Sequence, residues 1–187
     1  IVPPQLREFI ERLDAHGVSY KRIREAVTIR IESYRLNSPK WRSRPFEGRL
    51  TLSVKPEAIR EVRSFPANSV VVPVSQRAGR VAVHFLEPEA PDSAVFWGFF
   101  NAIFEQKEYS ESYVMDGIAE RMLERDEKLR AEFADKLKDP KFASNPRARL
   151  RFFYERSPYF DKRIGMYPVA RVVEPAQAAK LAKIMNP

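Results

Sequence analysis

The chain has 187 residues, 44% hydrophobic, 31% charged and 12% aromatic, a balance that suits a folded domain with one good core or two small ones and excludes the disordered class. It contains no cysteine, which excludes disulfides and thiolate metal sites, and none of its apolar runs reaches the roughly 20 residues that a membrane-spanning helix needs. The net charge of +8 is uneven: Lys21 to Arg44 holds eight Lys or Arg against Glu25 and Glu32, whereas the stretch from Pro45 onward holds 23 basic and 20 acidic residues.

The start, IVPPQLREF, has no initiator Met, no basic segment and no apolar leader, the pattern expected of a processed or excised piece of a longer chain. Pro3 and Pro4 introduce a short amphipathic helix in which Leu6, Phe9, Ile10 and Leu13 recur at helical spacing and which ends near His16, with Gly17 available for a left-handed cap. Val27, Ile29 and Ile31 then alternate with polar residues, as do Leu50, Leu52 and Val54, and IREVRSF and SVVVPV continue the pattern. These segments predict a small antiparallel sheet from about Tyr20 to Val74, with Pro56 and Pro73 at strand limits or edges.

QRAGRVAVHFLEP fits both periods, and we assign it to helix because Ala78, Val81, Ala82 and Phe85 share one helical face. In VFWGFFNAIF, Phe96, Phe99, Phe100 and Ile103 also recur at helical spacing and predict a helix apolar over much of its circumference. Three amphipathic helices follow: Val114, Ile118 and Met122, with Met115, Ala119 and Leu123 beside them, mark the first, Leu129, Phe133 and Leu137 the second, and Leu150, Phe153 and Tyr154 the third. Asp126 and Asn145 before Pro146 are expected caps, and PAQAAKLAKIM is a candidate last helix after the strand-like YPVARVV. The expected fold class is α+β, one domain over 1–187, with the sheet and aromatic helix in about 1–108 and a helical part in about 109–187.

Candidate chemistry is sparse. His84 and Glu87 have the HxxE spacing that places an imidazole and a carboxylate on one zinc ion, but zinc catalysis needs a third protein ligand, and the only other histidine, His16, lies upstream. We disfavour a metal site here and read His84 as a partly buried polar residue. There is no GxSxG, HExxH or glycine-rich phosphate loop. Glu105 and Glu108 flank Lys107 in the manner of a solvated helix face, and Asp92 or Ser93 is a cap candidate.

Two surfaces are candidates for partners. Phe96, Trp97, Phe99 and Phe100 suit core packing between the sheet and the later helices first, and, because those helices also need covering, contact with another domain or a second copy of the chain second. Lys21, Arg22, Arg24, Lys40, Trp41, Arg42 and Arg44 predict, as the alternative, a site for an anionic partner such as nucleic acid or a cell-wall polymer. Nucleic acid is disfavoured, because no nucleic-acid fold signature accompanies the charge.

The run LEPEAPDSAVFWGFFNAIFEQKEY, the stretch SYVMDGIAERMLERDEKLRAEFADKL and NPRARLRFFYERSPYFDKRIGMYPV, together with PFEGR and FPANSVVVPVSQ, resemble the C-terminal region of large bacterial zinc carboxypeptidases of the carboxypeptidase-A-like class. The resemblance spans about Pro3 to Val169. It implies that the catalytic zinc and its ligands belong to a preceding domain of the same parent chain, and that no catalytic residue transfers to this one. On that resemblance the chain is a non-catalytic accessory domain packed on a zinc-dependent catalytic domain that hydrolyses C-terminal peptide bonds, in an exported protein, with no membrane partner.

Overall fold

The computed structural model describes residues 1–106 and 111–185. It has the expected α+β class, and its contacts divide the chain into two compact units, Ile1–Glu105 with Gly165–Pro187, and Gln106–Ile164.

The first unit is built on a long antiparallel hairpin, β2 (Val27–Trp41) and β3 (Leu52–Phe65), paired from Val27↔Phe65 to Trp41↔Leu52 with an irregularity between Asn37 and Lys40. A second pair of two-residue strands, β1 (Lys21–Arg22) and β4 (Val70–Val71), is also antiparallel. The segments read from sequence around Leu50–Val54 and Ile59–Phe65 are therefore one continuous strand that runs through Pro56. The hydrogen bonding explains how. Glu32, Tyr34 and Leu36 turn their backbone groups away from β3, toward Arg171, Tyr167 and Gly165. Their opposite numbers Arg60, Ala58 and Pro56 are thus non-hydrogen-bonded positions whose backbone groups face the open edge of β3. The N–H that Pro56 lacks is one the ladder never uses.

β2 buries Val27, Ile29 and Ile31 at odd positions but Leu36 at an even one, so opposite faces of one strand enter two cores. Val27, Ile29, Ile31 and Phe65 pack with Ile23, Ala170 and Leu181. Leu36 packs with Tyr167, Val169, Phe100, Val95 and the helix α1 (Arg7–Ala15) through Phe9, Ile10 and Leu13. Each such side chain, taken from water to full burial, contributes about 1.5–3 kcal/mol. Helix α1 ends as expected: Gly17, at φ 66°, donates to Asp14 O and Val18 to Leu13 O, the paired bonds of a left-handed cap. Helix α2 (Gly79–Leu86) bears out the helical assignment of RVAVHFL, and α7 (Pro175–Ile184) supplies Leu181 from the tail.

The aromatic run is not the expected helix. Residues 94–100 form successive turns that end in a short 3-10 helix, Asn101–Phe104. Gly98 is the reason: it sits at φ 74°, a left-handed conformation, and a β-carbon there would lie 2.8 Å from Leu50 O. Ser93, fully buried, caps these turns by accepting from Phe96 N at 3.0 Å.

The second unit holds α3 (Ser112–Arg125), α4 (Glu127–Lys136), a one-turn α5 (Pro140–Ala143) and α6 (Pro146–Tyr154). Asp126 and Asn145 cap α4 and α6 as read from sequence, accepting from Leu129 N and Ala148 N at 3.0 and 3.1 Å. Met115, Ile118, Leu129, Phe152 and Phe153 form its own core, with Phe133 against Phe153 at 4.6 Å between ring centroids.

Gly165 is a sharp test of the first unit. It stands at φ 72°, donates to Ile103 O, accepts from Leu36 N at 2.7 Å, and would place a β-carbon 2.7 Å from Leu36 O. Gly165→Ala is expected to destabilise the protein by about 1–3 kcal/mol in urea unfolding, far more than Gly117→Ala, whose β-carbon meets only the end of the Arg121 side chain.

Candidate functional site

Two features of the first unit stand out: a cleft and the loop end of the hairpin. The cleft, about 470 Å³, opens where β2 changes its buried face. Its lining is mostly apolar and includes Val71, Val72, Val74, Val83, Leu86, Val172, Val173, Leu181 and Met185. That volume lies within the usual range of ligand sites, about 300–1,000 Å³.

A polar chain lines one end of the cleft. Tyr34 OH donates to Glu87 Oε2 at 2.8 Å, Arg171 stands 3.7 Å from Glu87 and 3.6 Å from Glu32, and Arg60 pairs with Glu32 at 2.7 Å. The Arg171 guanidinium also lies over the Tyr34 ring at 5.1 Å. Beneath them Tyr167 OH donates to Leu86 O at 2.7 Å, and burial with the nearby Glu87 charge holds its pKa well above the usual phenol value. Partial burial, then the hydrogen bond to Glu87 and its charge, push Tyr34 up to about 12. The charges of this rim are paired among themselves, and the cleft presents a neutral apolar interior.

His84 and Glu87 do not act together. Glu87 turns into the large cleft, whereas His84 is exposed in a separate shallow depression of about 300 Å³ with His16, Arg80, Val81, Phe85 and Asp92. His16 uses Nδ1 against Arg12 O at 2.7 Å. Among the described residues no group of three or more His, Cys, Asp or Glu is placed to share one metal ion. The exposure of His84 corrects its reading as a partly buried residue, since α2 turns Ala82 inward and His84 out. Glu105 is exposed, while Lys107 and Glu108 lie outside the described residues.

The basic segment does not form one patch. Lys21 and Arg22 form β1 and Arg24 lies just before β2, where Arg22 donates to Asn68 O and Arg24 to Lys183 O. Lys40, Trp41, Arg42 and Arg44 lie at its far end, about 45 Å away at roughly 3.3 Å per strand residue. At that end Lys40, Arg42 and Arg44 are exposed and pair with no carboxylate among the described residues.

The same end of the hairpin gathers the aromatic residues. Leu52 N donates to Phe96 O at 3.0 Å, which fixes the aromatic turns against the first residue of β3. Phe100 is buried, and Phe99 is half-buried between Phe85 and Phe9, with the Arg49 guanidinium 3.8 Å over its ring. Phe96 and Trp97 are half-buried, and Trp97 stacks with Phe46 at 6.0 Å and 24°. Trp41 stands edge-on to Phe104 and donates its indole N–H to Asn101 Oδ1. Phe46, Trp41 and Leu50 are 49%, 41% and 40% exposed, an uncommon density of large apolar side chains in one loop. Sequence reading singled out Trp97 and Trp41 but missed Phe46 and Leu50. The turn at Glu47 and Gly48, both at positive φ, closes the hairpin between Phe46 and Arg49, which exchange backbone hydrogen bonds, and of these two flanking residues Phe46 is the exposed one.

Comparison with models of known protein families, with curated proteins and with solved structures finds no match to this chain.

The Tyr34 environment gives a pH test. Because its pKa is raised on folding, the neutral phenol is favoured in the native state; the associated stability is complete below pH 10 and declines as the pH rises toward 12. The difference between ultraviolet titrations of the parent sequence and Tyr34→Phe should show an ionisation near 12, and Glu87→Gln should bring it down toward the ordinary value.

Proposed function

We propose that this chain is a non-catalytic accessory domain that packs on a catalytic domain of the same parent protein. The resemblance of segments 86–109 and 145–169 makes the parent a zinc carboxypeptidase-like hydrolase of C-terminal peptide bonds, whose zinc would activate water in the domain that carries its ligands. The observation that carries the reading is the cluster of large apolar side chains on the loop end of the hairpin, with Phe46, Trp41 and Leu50 exposed and Trp97 half-buried against Phe46. Its composition is that of an interface centre, in which Trp, aromatic and Arg side chains supply most of the binding energy. The inward rings Phe99 and Phe100 hold this surface rigid from below, so little ordering is needed when a partner covers it.

A second reading, an anionic-polymer module, is favoured by the carboxylate-free set Lys40, Arg42 and Arg44 beside the Trp41 ring. It reduces to this loop end, because Lys21, Arg22 and Arg24 are too distant to contribute. Tight binding of heparin or oligothymidylate that falls steeply with salt would favour it over the accessory role.

The test uses the parent protein carrying Phe46→Ala and Trp97→Ala, with Phe46→Ala alone as a variant whose exposed position leaves the fold intact. Docking of the domain is expected to weaken at least about tenfold. The readouts are a lower unfolding midpoint of the catalytic domain and faster proteolytic separation of the two. Unchanged unfolding and proteolysis in both variants would overturn the assignment.

A further inference from the structure

The loop end of the hairpin carries charge of one sign around its apolar centre. Between Lys40 and Leu50 stand four basic residues and a single acidic one, Glu47. Arg49 is committed within the chain, paired with Glu8 and lying over the Phe99 ring, but Lys40, Arg42 and Arg44 are exposed and meet no carboxylate among the described residues. The rest of the hairpin is different: Arg30, Arg60 and Arg63 each find a carboxylate, in Glu174, Glu32 and Glu61. The unpaired cations are also close to the exposed apolar side chains. Lys40 and Arg42 flank Trp41 in sequence and Arg44 stands two residues before Phe46, a backbone span of at most about 7 Å. Strand alternation turns Lys40 and Arg42 to the face opposite Trp41. A stable interface covers about 800 Å² on each partner, a patch roughly 30 Å across. A partner that caps the tip over Phe46, Trp41 and Leu50 therefore reaches all three cations, which edge the covered area instead of lying at its centre.

We propose that the loop end recognises an acidic, apolar protein face: a depression that receives Phe46, Trp41 and Leu50, edged by Asp or Glu side chains set against Lys40, Arg42 and Arg44. The proposal rests on the accessory-domain reading and names the chemistry of the catalytic-domain face that would cover the loop end. A cation taken from water without an opposite charge is strongly unfavourable, so a basic partner face is rejected. Carboxylates at the rim instead draw the two faces together through the solvent, an attraction that fades as salt screens it. A polyanion without apolar surface would neutralise the three cations but leave Phe46 and Leu50 in water. A polypeptide face supplies both kinds of contact.

The test compares the parent protein carrying Lys40→Gln, Arg42→Gln and Arg44→Gln together, all at exposed positions, with the parent carrying Phe46→Ala. Docking is read from the rate of proteolytic separation of the two domains at about 0.05 and about 0.5 M NaCl, with the protease calibrated on an unfolded substrate at each salt concentration. In the unmodified parent docking is expected to weaken about tenfold between the two conditions. The triple Gln variant should be about tenfold weaker at low salt and nearly indifferent to salt. Glu at the same three positions should weaken docking further at low salt and recover toward the Gln variant at high salt. Docking that is loosened by Phe46→Ala but unmoved by the three cations at both salt concentrations would overturn the proposal and leave the accessory-domain reading standing. Indifference to both sets of substitutions would overturn the two together. Heparin binding that needs the three cations, with docking unmoved by them, would assign them to a polyanion and equally overturn it.

Discussion

The first unit depends on one constraint: a single strand, β2, must serve two apolar cores on opposite faces. Ser33 sits at the change of face. It is buried, and its hydroxyl lies within hydrogen-bonding distance of both Tyr167 O and Val169 O, so the strand is tied to the 165–171 segment where its inward side chains switch from odd to even positions. Arg63, opposite Ile29, makes a matching tie from β3. Its guanidinium is nearly buried, donates to the carbonyls of Tyr167 and Pro168, and is neutralised by Glu61. A buried guanidinium without these acceptors would cost several kcal/mol, so the pair fixes how the 165–171 segment lies on the hairpin.

Both candidate sites follow from that arrangement. Where the strand changes face, neither core fills the space beside Glu32, Ser33 and Tyr34, and the cleft is the result. Beyond Leu36 the hairpin continues past its core for several residues to Trp41. The aromatic turns close beneath it, so rings that reach past this cover remain in water. Buried Phe100 and half-buried Phe99 are the root of this surface, and exposed Phe46 on half-buried Trp97 is its crown.

The elements with local causes were legible in the sequence. Helix α1 with its Gly17 end, the capping roles of Asp126 and Asn145, and the odd-position alternation from Val27 all act within a few residues. The aromatic run misled because periodicity cannot see a backbone requirement: Phe96, Phe99, Phe100 and Ile103 match a helix, but Gly98 in their midst takes a left-handed turn against Leu50. The polar rim was invisible for a different reason. Tyr34 meets Glu87 across 53 positions, and Arg171 reaches both Glu32 and Glu87 from the tail, so no spacing in the sequence announces them. The length of the hairpin hid in Pro56, a proline that marks an open edge as readily as a strand end.

The central claim is that the loop end of the hairpin is covered by another domain. Hydroxyl-radical footprinting of the isolated chain and of the parent protein addresses it directly. The account predicts that Phe46, Trp97 and Trp41 are oxidised readily in the isolated chain and protected severalfold in the parent, while exposed Tyr113 and Tyr159 in the second unit label alike in both. Equal oxidation of the three rings in both forms would contradict it.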